Sequence, residues 1–172
     1  MFEDTFVEEL VVRRTTVLGT LIRVGAILFG ILFAMFGFLV IPMVFPLCLA
    51  IVCVLIWFLF RAQYVEYEYA FTNGDLDIDR ISGKRHRKRI VSIPESQIRV
   101  MAPYQAEYES EVTGYQVSRK YDVSASSRAA GRWFLIYEPY ENDYGFLVFQ
   151  PSERMRTAMG KYLKERLKGE QA

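Results

Sequence analysis

The chain has two hydrophobic regimes. From Val24 to Phe60 no side chain is charged, and apolar residues follow one another with no polar face between them. About 20 apolar residues cross a bilayer as a helix, so this stretch is too long and too apolar for a single core helix. Pro42 and Pro46 divide it. Pro42 disfavours helix at Ile41, and Pro46 suits the first turn of a helix, where its missing N–H costs nothing. The pattern predicts a transmembrane helical hairpin over residues 17–63, with helices at about 18–41 and 46–63. A cleaved signal peptide fits poorly, because its apolar region is shorter and ends at a small-residue cleavage site.

From Tyr64 the period changes to two. Tyr64 to Phe71 is rich in strand formers, with glutamates alternating among them. Asn73-Gly74 follows, a strong hairpin signal because both turn residues must tolerate positive φ. Leu76 and Ile78 then alternate with Asp75, Asp77 and Asp79, and Ser82-Gly83 marks a second turn. Further strands are expected at 88–93, 97–101, 120–124, 133–138 and 146–149. Pro151 and Ser152 open a helix to about Lys168, with Met155, Ala158, Met159, Tyr162, Leu163 and Leu167 on one face. Lys161, Lys164 and Lys168 enrich its C-terminal end in positive charge, as the macrodipole favours.

Seven strands and a C-terminal helix are the element order of a pleckstrin-homology-like (PH-like) fold. The expected class is a membrane α-helical hairpin plus an α+β, mainly-β domain over 64–172. That domain is a seven-stranded bent antiparallel sheet or barrel capped by the helix. The stretches VEYEYAFTNGDLDIDRISGKRHRKRIVSIP, KYDVSAS and FLVFQPSERM, with the start FVEELVVRR, resemble an uncharacterised bacterial family. Its members have two transmembrane helices and a PH-like cytoplasmic domain. The resemblance covers nearly the whole chain and implies this layout. It brings no catalytic residue, cofactor or assigned activity, and fold alone does not assign function.

Residues 1–16 read as a short amphipathic segment. Phe2, Phe6 and Leu10 recur at helical spacing, and Thr5 and Glu8 fit a capping box, so a short helix is expected there. Glu3, Asp4, Glu8 and Glu9 argue against its binding an anionic membrane directly.

Charge orients the hairpin. Arg13, Arg14, Arg23 and Arg61 flank the apolar stretch, and the turn between the two helices carries no charge. The positive-inside bias then places both termini in the cytoplasm and the protein in the inner membrane as a multi-pass protein. Trp57 and Tyr64 lie where aromatic anchors sit. The whole chain holds 21 basic and 20 acidic residues, a net charge of +1, which argues against a nucleic-acid partner. Cys48 and Cys53 are the only cysteines and lie in the second apolar segment, on different helix faces. They read as small apolar residues rather than a disulfide or metal site.

Three groups of residues are candidates for function. The basic run Lys84, Arg85, Arg87, Lys88 and Arg89 follows the turn at Gly83, which antiparallel pairing returns to the membrane side. Lipid headgroup contact is one reading. The other is charge compensation by Asp75, Asp77 and Asp79 across the strands. Ala26, Gly30 and Ala34 recur every fourth residue on the first helix, a spacing that lets two backbones approach closely. They can pack on the second helix of the same chain or on another copy, which gives a homo-oligomer. Tyr104, Tyr108 and Tyr115 lie in the long irregular segment 103–118 beside Glu107, Glu109 and Glu111, and either dock a partner protein or belong to a mobile excursion.

Enzyme chemistry has little support. The only histidine, His86, sits inside the basic run, a context unlike that of a buried triad base. No phosphate loop, nucleophile elbow or metal-ligand cluster is present. Asp75-x-Asp77-x-Asp79 lacks the glycine of an EF-hand, since Arg80 stands at its sixth position. No metal or cofactor is expected. The leading reading is a non-enzymatic, membrane-anchored interaction or scaffolding module. The alternative is a surface sensor of anionic lipid that uses Lys84–Arg89. A third reading is an accessory subunit of a transporter or enzyme.

Overall fold

The computed structural model describes residues 4–40 and 42–169. Its described residues divide into two compact units, one within 14–65 with 82–85, the other 4–13 with 66–81 and 86–169.

The first unit is the helical hairpin. Helix α1 spans Val17–Val40, a 3-10 turn covers Pro42–Val44, and helix α2 spans Phe45–Ala62. Ile41, the expected end of the first helix, lies outside the described residues. With 24 residues, α1 is about 36 Å long and exceeds the hydrocarbon core of a bilayer. By length and composition both helices are apolar enough to cross a membrane. Gly30 and Ala34 are the buried residues of α1. A Cβ at Gly30 would stand 2.6 Å from Val52 Cγ1 and 3.3 Å from Ile56 Cδ1, so α2 lies against the α1 backbone at this point. Gly30 of the small-residue stripe thus packs on α2 of the same chain, while Ala26 is only half-buried. Outward, the helices expose hydrocarbon: Phe29 is 70% exposed and Leu39 76%.

The second unit holds two four-stranded sheets. Strands β1 (Phe6–Val12), β2 (Val65–Thr72), β3 (Asp75–Ser82) and β4 (His86–Ile93) lie in that order in the first. In the second, β5 (Ile98–Pro103), β6 (Val117–Asp122), β7 (Trp133–Tyr140) and β8 (Asp143–Phe149) lie in the order β5-β7-β8-β6. A short helix α3 (Ser110–Thr113) lies between β5 and β6, and helix α4 (Glu153–Leu163) closes the unit.

The expected seven-stranded antiparallel sheet needs three corrections. First, the N-terminal segment is strand β1 and not a helix. It pairs antiparallel with β2 from Phe6↔Thr72 to Val12↔Glu66. Phe6 and Leu10 are both more than half exposed while Val7 is buried, so the apparent helical spacing does not mark a buried face. The free edge of β2 supplies ladder partners that a short isolated helix lacks. Phe2 lies outside the described residues. Second, β6 runs parallel to β8. The segment between β5 and β6 crosses the sheet and returns the chain to the end it left, so β6 takes the direction of β5. A parallel return needs a dozen or more residues, which accounts for the length of this segment. Third, α4 ends at Leu163 and not near Lys168. Lys164 has φ +50°, and a 3-10 turn follows at Lys164–Arg166. There the Arg166 guanidinium donates to the Glu95 and Ile98 carbonyls at 2.9 and 3.0 Å.

One core joins the two sheets. Tyr69, Phe71, Leu76, Ile78, Met101, Leu135, Leu147 and Phe149 are fully buried. The Tyr69 and Phe149 rings meet edge to face at 5.8 Å. The Tyr69 hydroxyl donates to the Val123 carbonyl at 2.6 Å, and burial raises its pKa above the ordinary tyrosine value. Helix α4 adds Met155, Ala158, Met159 and Leu163. Its first turn is capped by the Ser152 hydroxyl, which accepts from the Met155 N–H at 3.2 Å.

A cysteine cross-link tests the hairpin packing. A Cβ at Gly37 would lie 3.8 Å from the Cys48 Cβ, the usual spacing of a disulfide. Gly37→Cys in a Cys53→Ser background is expected to oxidise to an intramolecular disulfide with Cys48, read as faster migration on a non-reducing gel. An oxidised dimer in its place would mean that the stripe packs between copies.

Candidate functional site

Two places gather the chemistry singled out above. The first is the base of the hairpin. Arg23 enters near the start of α1 and Arg61 near the end of α2, and the Arg23 Nε donates to the Gln63 Oε1 at 2.9 Å. The guanidinium of Arg61 stands 5.4 Å from the Trp57 ring centroid, and that of Arg23 stands 5.1 Å from Phe60. The turn between β3 and β4 belongs to the same unit. Gly83 N–H donates to the Tyr64 carbonyl at 2.8 Å, and Lys84 Nζ lies 5.0 Å from the Tyr64 ring centroid. Arg85 N–H closes the turn on the Ser82 carbonyl at 3.2 Å. Gly83 and Lys84 both adopt positive φ, +58° and +60°. Glycine takes that geometry freely, whereas an L side chain costs about 1–2 kcal/mol. Lys84 is therefore not the residue that the turn itself would select.

The basic run divides in two. Arg87 and Arg89 sit on β4 and reach across to buried acids of the same sheet. Arg87 pairs with Glu68 and lies 3.7 Å from Asp79, while Arg89 pairs with Asp79 and lies 2.9 Å from Asp77. Glu68 and Asp79 are only 8% and 7% exposed, so these arginines offset a desolvation cost that the sheet would otherwise carry. Lys88 lies between them, exposed, and alternation turns it to the opposite face. Lys84 and Arg85 are exposed, and neither forms an ion pair among the described residues. The aspartates have partners too: Asp77 accepts from the Ser92 hydroxyl at 2.5 Å and Asp75 from the Glu95 N–H at 3.3 Å. Among the described residues no group of three His, Cys, Asp or Glu is arranged to hold a metal.

The second place is an aromatic cleft on the outer face of the second sheet. Val100, Ala102, Phe134, Ile136 and Val148 face away from the main core and form a cluster of their own. The crossover segment lies over them, bringing Tyr108, Val112 and Tyr115 against the sheet. A cavity of about 550 Å³ remains between segment and sheet. Tyr104, Tyr108 and Tyr115 all line it, with Phe134 and Phe146 from the sheet. Phe134 and Phe146 stack at 5.5 Å, Tyr104 lies 6.2 Å from Phe146, and the Arg132 guanidinium covers Tyr104 at 4.5 Å. Glu109 and Lys120 supply the charge at its wall.

The structure thus brings the three tyrosines together and separates Lys84 and Arg85 from Arg87 and Arg89. Sequence reasoning missed Phe134 and Phe146. The signal for them was present, because β7 and β8 are apolar on both faces, as strands covered on both sides are. Arg23, Arg61 and Lys84 stand in one unit, where the sequence reading has the turn at Gly83 return to the side of the flanking arginines.

Two sheets around one core, closed by a C-terminal helix, define a PH-like domain, here in a chain that also carries two long apolar helices. The chain belongs to a bacterial PH-like domain family of unknown function, DUF6106, whose model matches residues 3–169. No curated protein and no solved structure matches the chain. PH-like domains are generally non-catalytic.

Two substitutions test the division of the basic run, read by urea unfolding of the full chain in detergent. Arg89→Ala leaves Asp79 without its hydrogen-bonded partner and is expected to destabilise by about 1–2 kcal/mol. Lys84→Gly relieves the left-handed backbone and is expected to stabilise by about 0.5–1 kcal/mol.

Proposed function

We propose that the protein is a membrane-anchored interaction module at the cytoplasmic face of the inner membrane. The hairpin α1–α2 spans the bilayer, and the PH-like unit binds a partner protein in the cytoplasm. One observation carries this reading: only Gln63 and Tyr64 separate the end of α2 from β2. A helix with exposed hydrocarbon therefore passes into a water-soluble sheet with no linker, as an anchor joined directly to its cargo does. Arg14, Arg23 and Arg61 all lie at the open end of the hairpin, and Pro42–Val44 carries no charge, which supports cytoplasmic termini. The aromatic cleft supports a docking role, since tyrosine and phenylalanine are favoured at the centres of interfaces. The packing of Gly30 on α2 supports a hairpin that closes within one chain, so the reading needs no oligomer.

Reporter fusions and photo-cross-linking in intact cells test it. Green fluorescent protein fused after residue 169 is expected to fluoresce, and alkaline phosphatase at the same point to be inactive. A photoreactive residue at Glu109, at the cleft wall, is expected to give a discrete protein adduct that the same residue at the exposed Lys161 does not. Active phosphatase would overturn the orientation, and no adduct from Glu109 would overturn the docking role.

A further inference from the structure

We infer that the base of the hairpin is a binding site for the phosphate of an anionic phospholipid, built by Arg23, Arg61, Lys84 and Arg85. The inference rests on the reading of α1 and α2 as membrane spans. The unit made of residues 14–65 and 82–85 contains five basic side chains, Arg14 being the fifth, and no acidic one. None of the five forms an ion pair among the described residues, unlike Arg87 and Arg89 of the neighbouring strand.

Three of these cations rest on aromatic rings: Arg61 on Trp57, Arg23 on Phe60 and Lys84 on Tyr64. A ring holds a cation by attraction to its π face and leaves free the N–H donors that point away from it. Arg23 directs one donor to Gln63, and no acceptor among the described side chains takes the donors of Arg61, Lys84 or Arg85. The turn is held on α2 by the Gly83–Tyr64 hydrogen bond, and it keeps a lysine where glycine or asparagine would be easier. The result is a group of unspent donors at the end of two apolar helices, with tryptophan and tyrosine beside them. A phospholipid supplies what complements it: an anionic oxygen cluster for the fork of each arginine, and acyl chains against α1 and α2. Tryptophan and tyrosine are the residues that favour this depth of a bilayer.

Trp57 makes the site readable by fluorescence. The full-length protein is reconstituted in phosphatidylcholine vesicles that contain, at equal mole fraction, either acyl-brominated phosphatidylcholine or acyl-brominated phosphatidylglycerol. A Trp57→Phe variant gives the background from Trp133. The site predicts stronger quenching by the brominated phosphatidylglycerol, with a local enrichment of about fivefold, the ratio that one cation near an anionic surface supports. Lys84→Glu with Arg85→Glu is expected to remove that preference, and Lys161→Glu to leave it intact. Equal quenching by the two lipids, or loss of the preference in Lys161→Glu as well, overturns the site while leaving the membrane anchor standing. No quenching by either lipid overturns the anchor itself, and the site with it.

Discussion

Exposed hydrocarbon on two helices is the constraint on which the other features depend. Burying a large apolar side chain is worth about 1.5–3 kcal/mol, and α1 and α2 present such side chains to their surroundings along their whole length. The contact between the two helices does not relieve this, because it uses Gly30 and Ala34 and leaves Phe29, Leu39 and their neighbours outside. On the proposed reading, the bilayer is the apolar medium that this surface meets. In such a medium every charged group must lie at the ends, and here they do: the arginines of the hairpin stand at its open end, and the turn at Pro42–Val44 has none. The proposed anchor, its orientation and the cation cluster at its base all descend from this one constraint.

The two-sheet unit answers a different problem, that of covering both faces of its second sheet. One face is covered by the first sheet and α4. The other is covered by the crossover segment between β5 and β6. Because that segment returns the chain to its starting end, β6 joins the far edge parallel to β8. The same crossing leaves the aromatic cleft, since a short helix and three tyrosines do not fill the space above Phe134 and Phe146. A close approach elsewhere keeps the sheet compact: Gly145 lies opposite Tyr137, whose ring occupies the place of a Cβ. Burial pushes the Tyr137 phenol up to about 12.

How much of this could be read in the chain follows from what is local. The two apolar helices, the Asn73-Gly74 turn, the alternation of β2 and β3 and the apolar stripe of α4 are all set by neighbours within one or two turns, and each was legible. Strand β1 was not, because its seven residues take their conformation from β2, some sixty positions away. The parallel placement of β6 was hidden for the same reason, and so was the early end of α4, which depends on Arg166 reaching Glu95 and Ile98. The site residues divide likewise. Tyr104, Tyr108 and Tyr115 stood out because aromatic residues are conspicuous in an irregular segment. The split between Lys84 and Arg87 stayed closed until the ion pairs across the first sheet gave Arg87 its acids and Lys84 none among the described residues.

The most direct measurement of the central claim is the accessibility of the hairpin turn. Met43 is 94% exposed and sits between the helices. With Cys48 and Cys53 replaced by serine, Met43→Cys is treated in intact cells, with the outer membrane permeabilised, with a maleimide that cannot cross the inner membrane. A hairpin that spans the membrane with both ends in the cytoplasm predicts labelling of this thiol from outside, at an extent unchanged by lysis. Labelling only after the cells are broken would contradict it.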